Sequence, residues 1–124
     1  ALAAAVEQIA SQRSQGVVVT PDVLYYAERV KLQELLQTTR LPVAYGMREA
    51  VTIGGGLLSY TTNLPALYRS SAKWVDKILK GAKPADLPVE QPTNFELEIN
   101  LKAAKALGLA LPRSLLLRAN EVIE

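Results

Sequence analysis

Three short stretches hold the side chains best suited to grip a small molecule: Thr20-Pro21-Asp22, Tyr45-Gly46-Met47-Arg48 and Ser59-Tyr60-Thr61. Arg48 offers a planar fork that clamps a carboxylate through two parallel hydrogen bonds; a solvated surface arginine reads the same way in sequence. Tyr45 and Tyr60 each offer a ring face and a hydroxyl, the alternative being a core tyrosine with a wet tip. Ser59 offers a single hydrogen bond. Asp22, next to Pro21, matches a helix N-cap first and a partner for a ligand's ammonium group second. Tyr25 and Tyr26 are neighbours on a helical pattern and point apart, so at most one faces a common site. Trp74 sits on an apolar stripe and reads as packing.

What these residues lack narrows the chemistry further. The chain has no cysteine and no histidine. That removes thiol nucleophiles, serine–histidine dyads, most zinc sites and disulfides together. Asp22 and Glu49 are the carboxylates nearest these loops, but no pair is spaced for acid–base work, so an α/β enzyme is the weakest of the readings. The triplet Gly54-Gly55-Gly56 precedes an apolar run instead of opening a helix after one. It is not a dinucleotide or phosphate loop, and close backbone approach is the simpler account. No cofactor-binding pattern is left, so no cofactor is expected.

A composition of 49% hydrophobic and 21% charged residues is that of a folded chain, and 124 residues is about one small domain. A net charge of +2 with scattered lysines and arginines gives no basic stripe, which excludes nucleic acid as a partner. The uncharged run from Ala50 to Tyr68 approaches the length of a membrane span, yet its glycines, proline, asparagine and hydroxyls reject that reading. The opening "ALAAAVEQIA" has no basic n-region and no long apolar core, so no secretion signal lies within it.

The elements that must position the three loops follow from periodicity. Leu2, Val6, Ile9 and Ala10 mark an amphipathic helix, with Gly16 available as its left-handed cap. "GVVVT" (16–20) reads as a strand buried on both faces, and Asp22 opens a helix to about Thr39. "LPVAYG" (41–46) is a second strand, "MREAV" a short helix, and "GGGLLSY" (54–60) a third strand. Leu64, Leu67, Tyr68, Trp74, Val75, Ile78 and Leu79 share one stripe of a strong helix that Gly81 closes. Pro84, Pro88 and Pro92 then form a stiff polar strap. "NFELEIN" alternates strictly and predicts a strand with one wet face at or near a sheet edge. Asn100 caps a helix that Gly108 ends, and Pro112 starts a final helix with Leu115, Leu116, Ala119, Val122 and Ile123 inward. Buried strands alternating with helices predict an α/β fold: an open, mostly parallel sheet with flanking helices. Three buried strands and one edge strand are thin for such a fold.

From Leu41 onward the sequence resembles the substrate-binding proteins of a class of bacterial ABC importers. This is the branch with two α/β lobes that close on a small solute, binders of aromatic amino acids among them. The resemblance is carried by "LPVAYGMREAVTIGGGLLSYTTN" (41–63), "WVDKILKGAKPADLPVEQPTNFELEINLKAAKALGLALP" (74–112) and "LLLRANEVIE" (115–124). Residues 1–40 fit the same family's preceding helix-strand-helix less distinctively.

The resemblance implies one incomplete lobe of a periplasmic-binding-protein-like fold, since members are typically over twice this length. Residues 1–60 and 93–124 would be second-lobe elements, 61–83 a helix packing on the first lobe, and 84–92 the crossover strap. Prolines with polar spacers keep such a connector extended and solvated. The resemblance also implies a small-molecule solute, a membrane permease as partner and a periplasmic or cell-envelope location, with a ligand-sensing regulatory domain as the alternative. Loops beyond the strands' carboxyl ends would line the cleft, which selects Pro21, Asp22, Tyr45, Arg48, Ser59 and Tyr60. One arginine with two tyrosines suits an aromatic or amphiphilic carboxylate. Without a first lobe, the Leu64–Leu79 helix is expected to bury its stripe within the chain or in a second copy.

Overall fold

A computed structural model describes all residues, 1–124. In chain order the elements are α1 (Leu2–Ser11), β1 (Val17–Val19), α2 (Val23–Ala27), α3 (Arg29–Thr38), β2 (Val43–Tyr45), α4 (Glu49–Thr52), β3 (Leu58–Thr62), α5 (Leu64–Leu79), β4 (Phe95–Asn100), α6 (Leu101–Ala106), α7 (Arg113–Leu116) and β5 (Glu121–Ile123). The chain divides into two compact units. One comprises Ala1–Thr61 with Glu96–Glu124, the other Thr62–Phe95.

The larger unit carries the sheet, whose spatial order β1-β2-β3-β4-β5 is the order in sequence. β1 and β2 pair in parallel, as do β2 and β3, and β4 and β5. Asn100 N donates to Leu57 O at 2.8 Å while Ser59 lies against Glu98. Across that pair one residue number rises as the other falls, so β4 runs opposite to β3. The sheet is mostly parallel with one reversal of direction. Registers Val19↔Tyr45, Tyr45↔Ser59 and Glu98↔Glu121, joined by the Ser59–Glu98 contact, place one residue of every strand in a single row on one face. α1 packs on α3. Their buried Val6, Leu32 and Leu36 meet Val19, Val43 and Tyr45 of the strands and Met47, Ala50 and Val51 of the turn and α4.

Several local signals act as their chemistry dictates. The Asp22 carboxylate accepts from Leu24 N at 2.7 Å, Asn63 caps α5 through Ala66 N at 2.9 Å, and Asn100 caps α6 through Ala103 N at 3.1 Å. Gly81 at φ 100° and Gly108 at φ 69° end α5 and α6 in the left-handed region, where a Cβ is costly.

Five expectations are corrected. Gly16 does not cap α1; the left-handed residue after that helix is Arg13 at φ 53°. The helix read from Asp22 to Thr39 breaks at Glu28 (φ −96°, ψ 17°), because its halves have different partners: α3 buries Leu32, Gln33 and Leu36, while α2 buries nothing. β1 is an edge strand, with Val18 75% exposed, and not a strand buried on both faces. β4 stands next to the edge strand, near the sheet edge as expected, but has no wet face over Leu97, Glu98, Ile99 and Asn100, which are all buried, because Glu98 finds polar partners inside. The final helix stops at Leu116, and Glu121–Ile123 form a fifth strand beside β4. That turn is fixed by Asn120, whose N–H donates to Leu97 O at 2.8 Å while its side-chain oxygen accepts from Leu97 N at 2.9 Å.

In the smaller unit, α5 is followed by a single 3-10 turn at Pro84–Asp86 and an irregular run to Asn94. Lys73 forms an ion pair with Glu90, and Lys73 and Lys77 lie 5.0 and 4.7 Å from the Trp74 ring centre. The expected self-burial of the stripe does not occur within the chain. No residue of α5 is buried, and Leu64, Tyr68, Val75 and Leu79 are all more than half exposed.

Candidate solute site

In a parallel sheet, loops and helix N-termini gather at the carboxyl ends of the strands. Here those are the ends of β1, β2 and β3. The first two loops are tied together: Gly46 N donates to Val19 O at 2.8 Å, and a Cβ on Gly46 would collide with the Pro21 ring. Only glycine lets these loops approach so closely. Pro21 and Asp22 are exposed, and the Asp22 carboxylate is engaged as the cap of α2.

Arg48, at the start of α4, is the cation of the site. Its Nη2 reaches Glu121 Oε2 at 2.5 Å and its Nε lies 3.7 Å from Glu98 Oε1. The hydrogen bond to Glu121 first, then the nearby charges of Glu121, Glu98 and Glu96, raise its already high pKa, so the guanidinium stays charged. Ser59, with no exposed surface, donates its hydroxyl to Glu98, which is itself only 1% exposed. The four side chains form one polar chain, Ser59–Glu98–Arg48–Glu121. It runs from the interior of the sheet to its surface.

The six residues expected from sequence therefore separate. Arg48 and Ser59 come together through Glu98. Pro21 sits against the Arg48 loop at Gly46. Tyr60 is 57% exposed on the face of β3 opposite to Ser59. Tyr45 is 5% exposed, with its ring edge beside Gly56 and its pKa pushed up to about 12 by burial. Its side chain belongs to the core. Sequence reasoning missed Glu98 and Glu121. Glu98 differs from Glu96 by nothing in the alternating pattern, and only the serine and arginine opposite it, on separate elements, reveal its place.

The arrangement suits binding. A fixed guanidinium presents donors to a carboxylate, and the surplus of carboxylates around it matches an ammonium group at short range.

The family described as ABC transporter substrate binding protein matches residues 1–123. Among solved structures, a conserved domain protein from Vibrio cholerae superposes with a TM-score of 0.87 at 24% identity, over 98% of this chain and 40% of that one. The ABC domain from Streptococcus pneumoniae in complex with L-Trp gives 0.86 at 30% identity, over 98% and 42%. The ligand-free, open form of a substrate binding protein with adhesive properties from Clostridium difficile gives 0.64 at 20% identity, over 98% and 40%. No curated protein matches the sequence. The chain thus spans about two fifths of the length of the solved proteins it superposes on. No helix is long and apolar enough to cross a membrane. With the family matching nearly every residue and the sheet superposing throughout, the chain belongs to the ABC transporter substrate binding protein family.

Proposed function

We propose that the chain is the C-terminal part of the solute-binding component of a bacterial ABC importer, capturing a small molecule outside the inner membrane and delivering it to a permease. The larger unit would supply the second lobe, and the Pro84–Pro92 strap the crossover between lobes. Ligand bridging two lobes would shift an open–closed equilibrium toward closed. The exposed stripe of α5 is assigned to the first lobe of the longer protein, which would cover Leu67, Val75 and Ile78.

The solute class proposed is an aromatic amino acid or a related amphiphilic carboxylate. The observation that carries it is Arg48, held between Glu98 and Glu121 at the carboxyl ends of the strands. A guanidinium among carboxylates complements a zwitterion, and the relative at 30% identity holds L-Trp. Pro21 and Asp22 would border the site, Tyr60 would offer a ring face, and Ser59 would act through Glu98.

The test is equilibrium titration of the full-length gene product with L-tryptophan, L-tyrosine, phenylacetate and L-leucine, followed by intrinsic fluorescence. Aromatic zwitterions are expected to bind most tightly, and Arg48→Ala to weaken them at least about tenfold. Binding of none of the aromatic ligands, or equal binding by Arg48→Ala, overturns the reading. A ligand-sensing regulatory role is separated by the partner: an importer component stimulates ATP hydrolysis of a reconstituted permease, and a sensor does not.

A further inference from the structure

The crossover from β2 to β3 carries only the four-residue α4, too short to cover the sheet. A groove of about 520 Å³ is left between α3 and α6, over β2 and the Gly55–Leu57 run that leads into β3, within the size range of small-molecule sites. Val43, Leu57 and Leu107 give it apolar walls, and no acidic side chain lines it.

Two polar groups in that lining are unspent. Tyr45 is 5% exposed, yet its hydroxyl makes no hydrogen bond to any group of the chain. No buried side-chain oxygen is sealed off without a partner, so this oxygen keeps some accessible surface, and Tyr45 is one of the residues lining the groove. A buried tyrosine hydroxyl ordinarily finds a partner. Burial pushes its pKa up to about 12, which keeps it a proton donor at every ordinary pH. Arg40, at the rim, is exposed and forms no ion pair with the chain. The carbonyls of the last turn of α3 do not neutralise it. Leu35 O and Leu36 O accept from the Thr38 and Thr39 hydroxyls, and Gln37 O from Arg40 N.

We propose that this groove is a second small-molecule site, taking a carboxylate with a compact apolar body whose anionic head meets Arg40 and the Tyr45 hydroxyl. The charge sign follows from a guanidinium without an ion pair in a lining that holds no carboxylate, the apolar body from the walls, and the donor from the buried phenol. The site shares no side chain with the Arg48 chain. It stands or falls independently of the solute proposed above.

The experiment is a titration of the 124-residue chain with benzoate and with benzamide, its neutral counterpart, followed by amide chemical shifts. Benzoate is expected to shift Gly55, Gly56, Leu57 and Ala103 saturably, with benzamide at least about tenfold weaker. Arg40→Gln is expected to weaken benzoate about tenfold and Tyr45→Phe a few-fold. Ala106→Phe, at an exposed position on α6, is expected to obstruct the groove and abolish the shifts. Should Tyr45→Phe fail to fold, Arg40→Gln and Ala106→Phe decide alone. Shifts that are absent, confined to the Arg48 loop, or unchanged in Arg40→Gln and Ala106→Phe overturn the proposal.

Discussion

Ser59 and Glu98 face each other from neighbouring strands with 0% and 1% of their surface exposed, the hydroxyl donating to the carboxylate. A buried carboxylate survives only with partners, and this one has two: Ser59 and the Arg48 guanidinium. Ser59→Ala is expected to destabilise the chain by about 1–3 kcal/mol, since it leaves a charge short of one donor. Glu98→Ala is expected to cost about 3 kcal/mol or more. Urea unfolding of both singles and the double should show a coupling of about 1–2 kcal/mol; additive losses would mean the two do not interact in solution.

The outer end of the same polar chain should behave differently. Arg48 and Glu121 are about half exposed, at 48% and 44%. Glu121→Gln is therefore expected to change stability by less than about 1 kcal/mol, and by still less at high salt. A loss as large as that of Glu98→Ala would show the pair to be shielded from solvent.

Tyr45 supplies a pH signature. Its folded pKa of about 12 lies above the ordinary value of 10.0. The unfolded chain thus loses this proton first as pH rises. Its stabilising share is whole below pH about 10, shrinks above it and is gone by about 12. The stability of the native chain relative to Tyr45→Phe should fall by about 1 kcal/mol between pH 9 and 11, read from urea midpoints. A constant difference would show the phenol to keep its ordinary pKa in the folded chain.

The glycine triplet gives a graded series. A Cβ at Gly56 would lie 2.6 Å from Tyr45 Cε2 and 2.8 Å from the backbone oxygen of Ala50, and one at Gly54 2.8 Å from the same oxygen. Alanine at either position is expected to cost about 2–3 kcal/mol through overpacking. Gly55 meets nothing but has φ 75°, so Gly55→Ala should cost about 1 kcal/mol from backbone strain alone. Equal losses at all three positions would refute this ordering.

The stripe of α5 is exposed on the isolated chain, with Leu64 at 51% and Leu79 at 82%. Sedimentation of the 124-residue chain is expected to show self-association that Leu67→Glu with Ile78→Glu abolishes. A monomer at all concentrations would show that this face tolerates water.

What was legible in the sequence was whatever a local rule determines. The α5 stripe, the Asp22 and Asn100 caps, and the stops at Gly81 and Gly108 each depend on residues a few positions apart. So does the alternation of strand and helix that gives the α/β class. The misses depend on distant partners. β5 has three residues and no pattern of its own; it exists because Asn120 docks on Leu97 and Val122 lies beside Ile99. Glu98 alternates as a surface residue would, and only Ser59 and Arg48 bring it inside. Tyr45 has the position of a cleft residue, but the glycine at 56 admits its ring to the interior.

One margin of the sheet remains open. Within these 124 residues β1 ends the strand order, and Val18 stands on it without a charge or proline to discourage a newcomer. Three consecutive valines offer a template for pairing: a second molecule that lays its own β1 there consumes both edges and closes a two-fold pair. A lysine in place of Val18 should close that route without touching the rest of the fold.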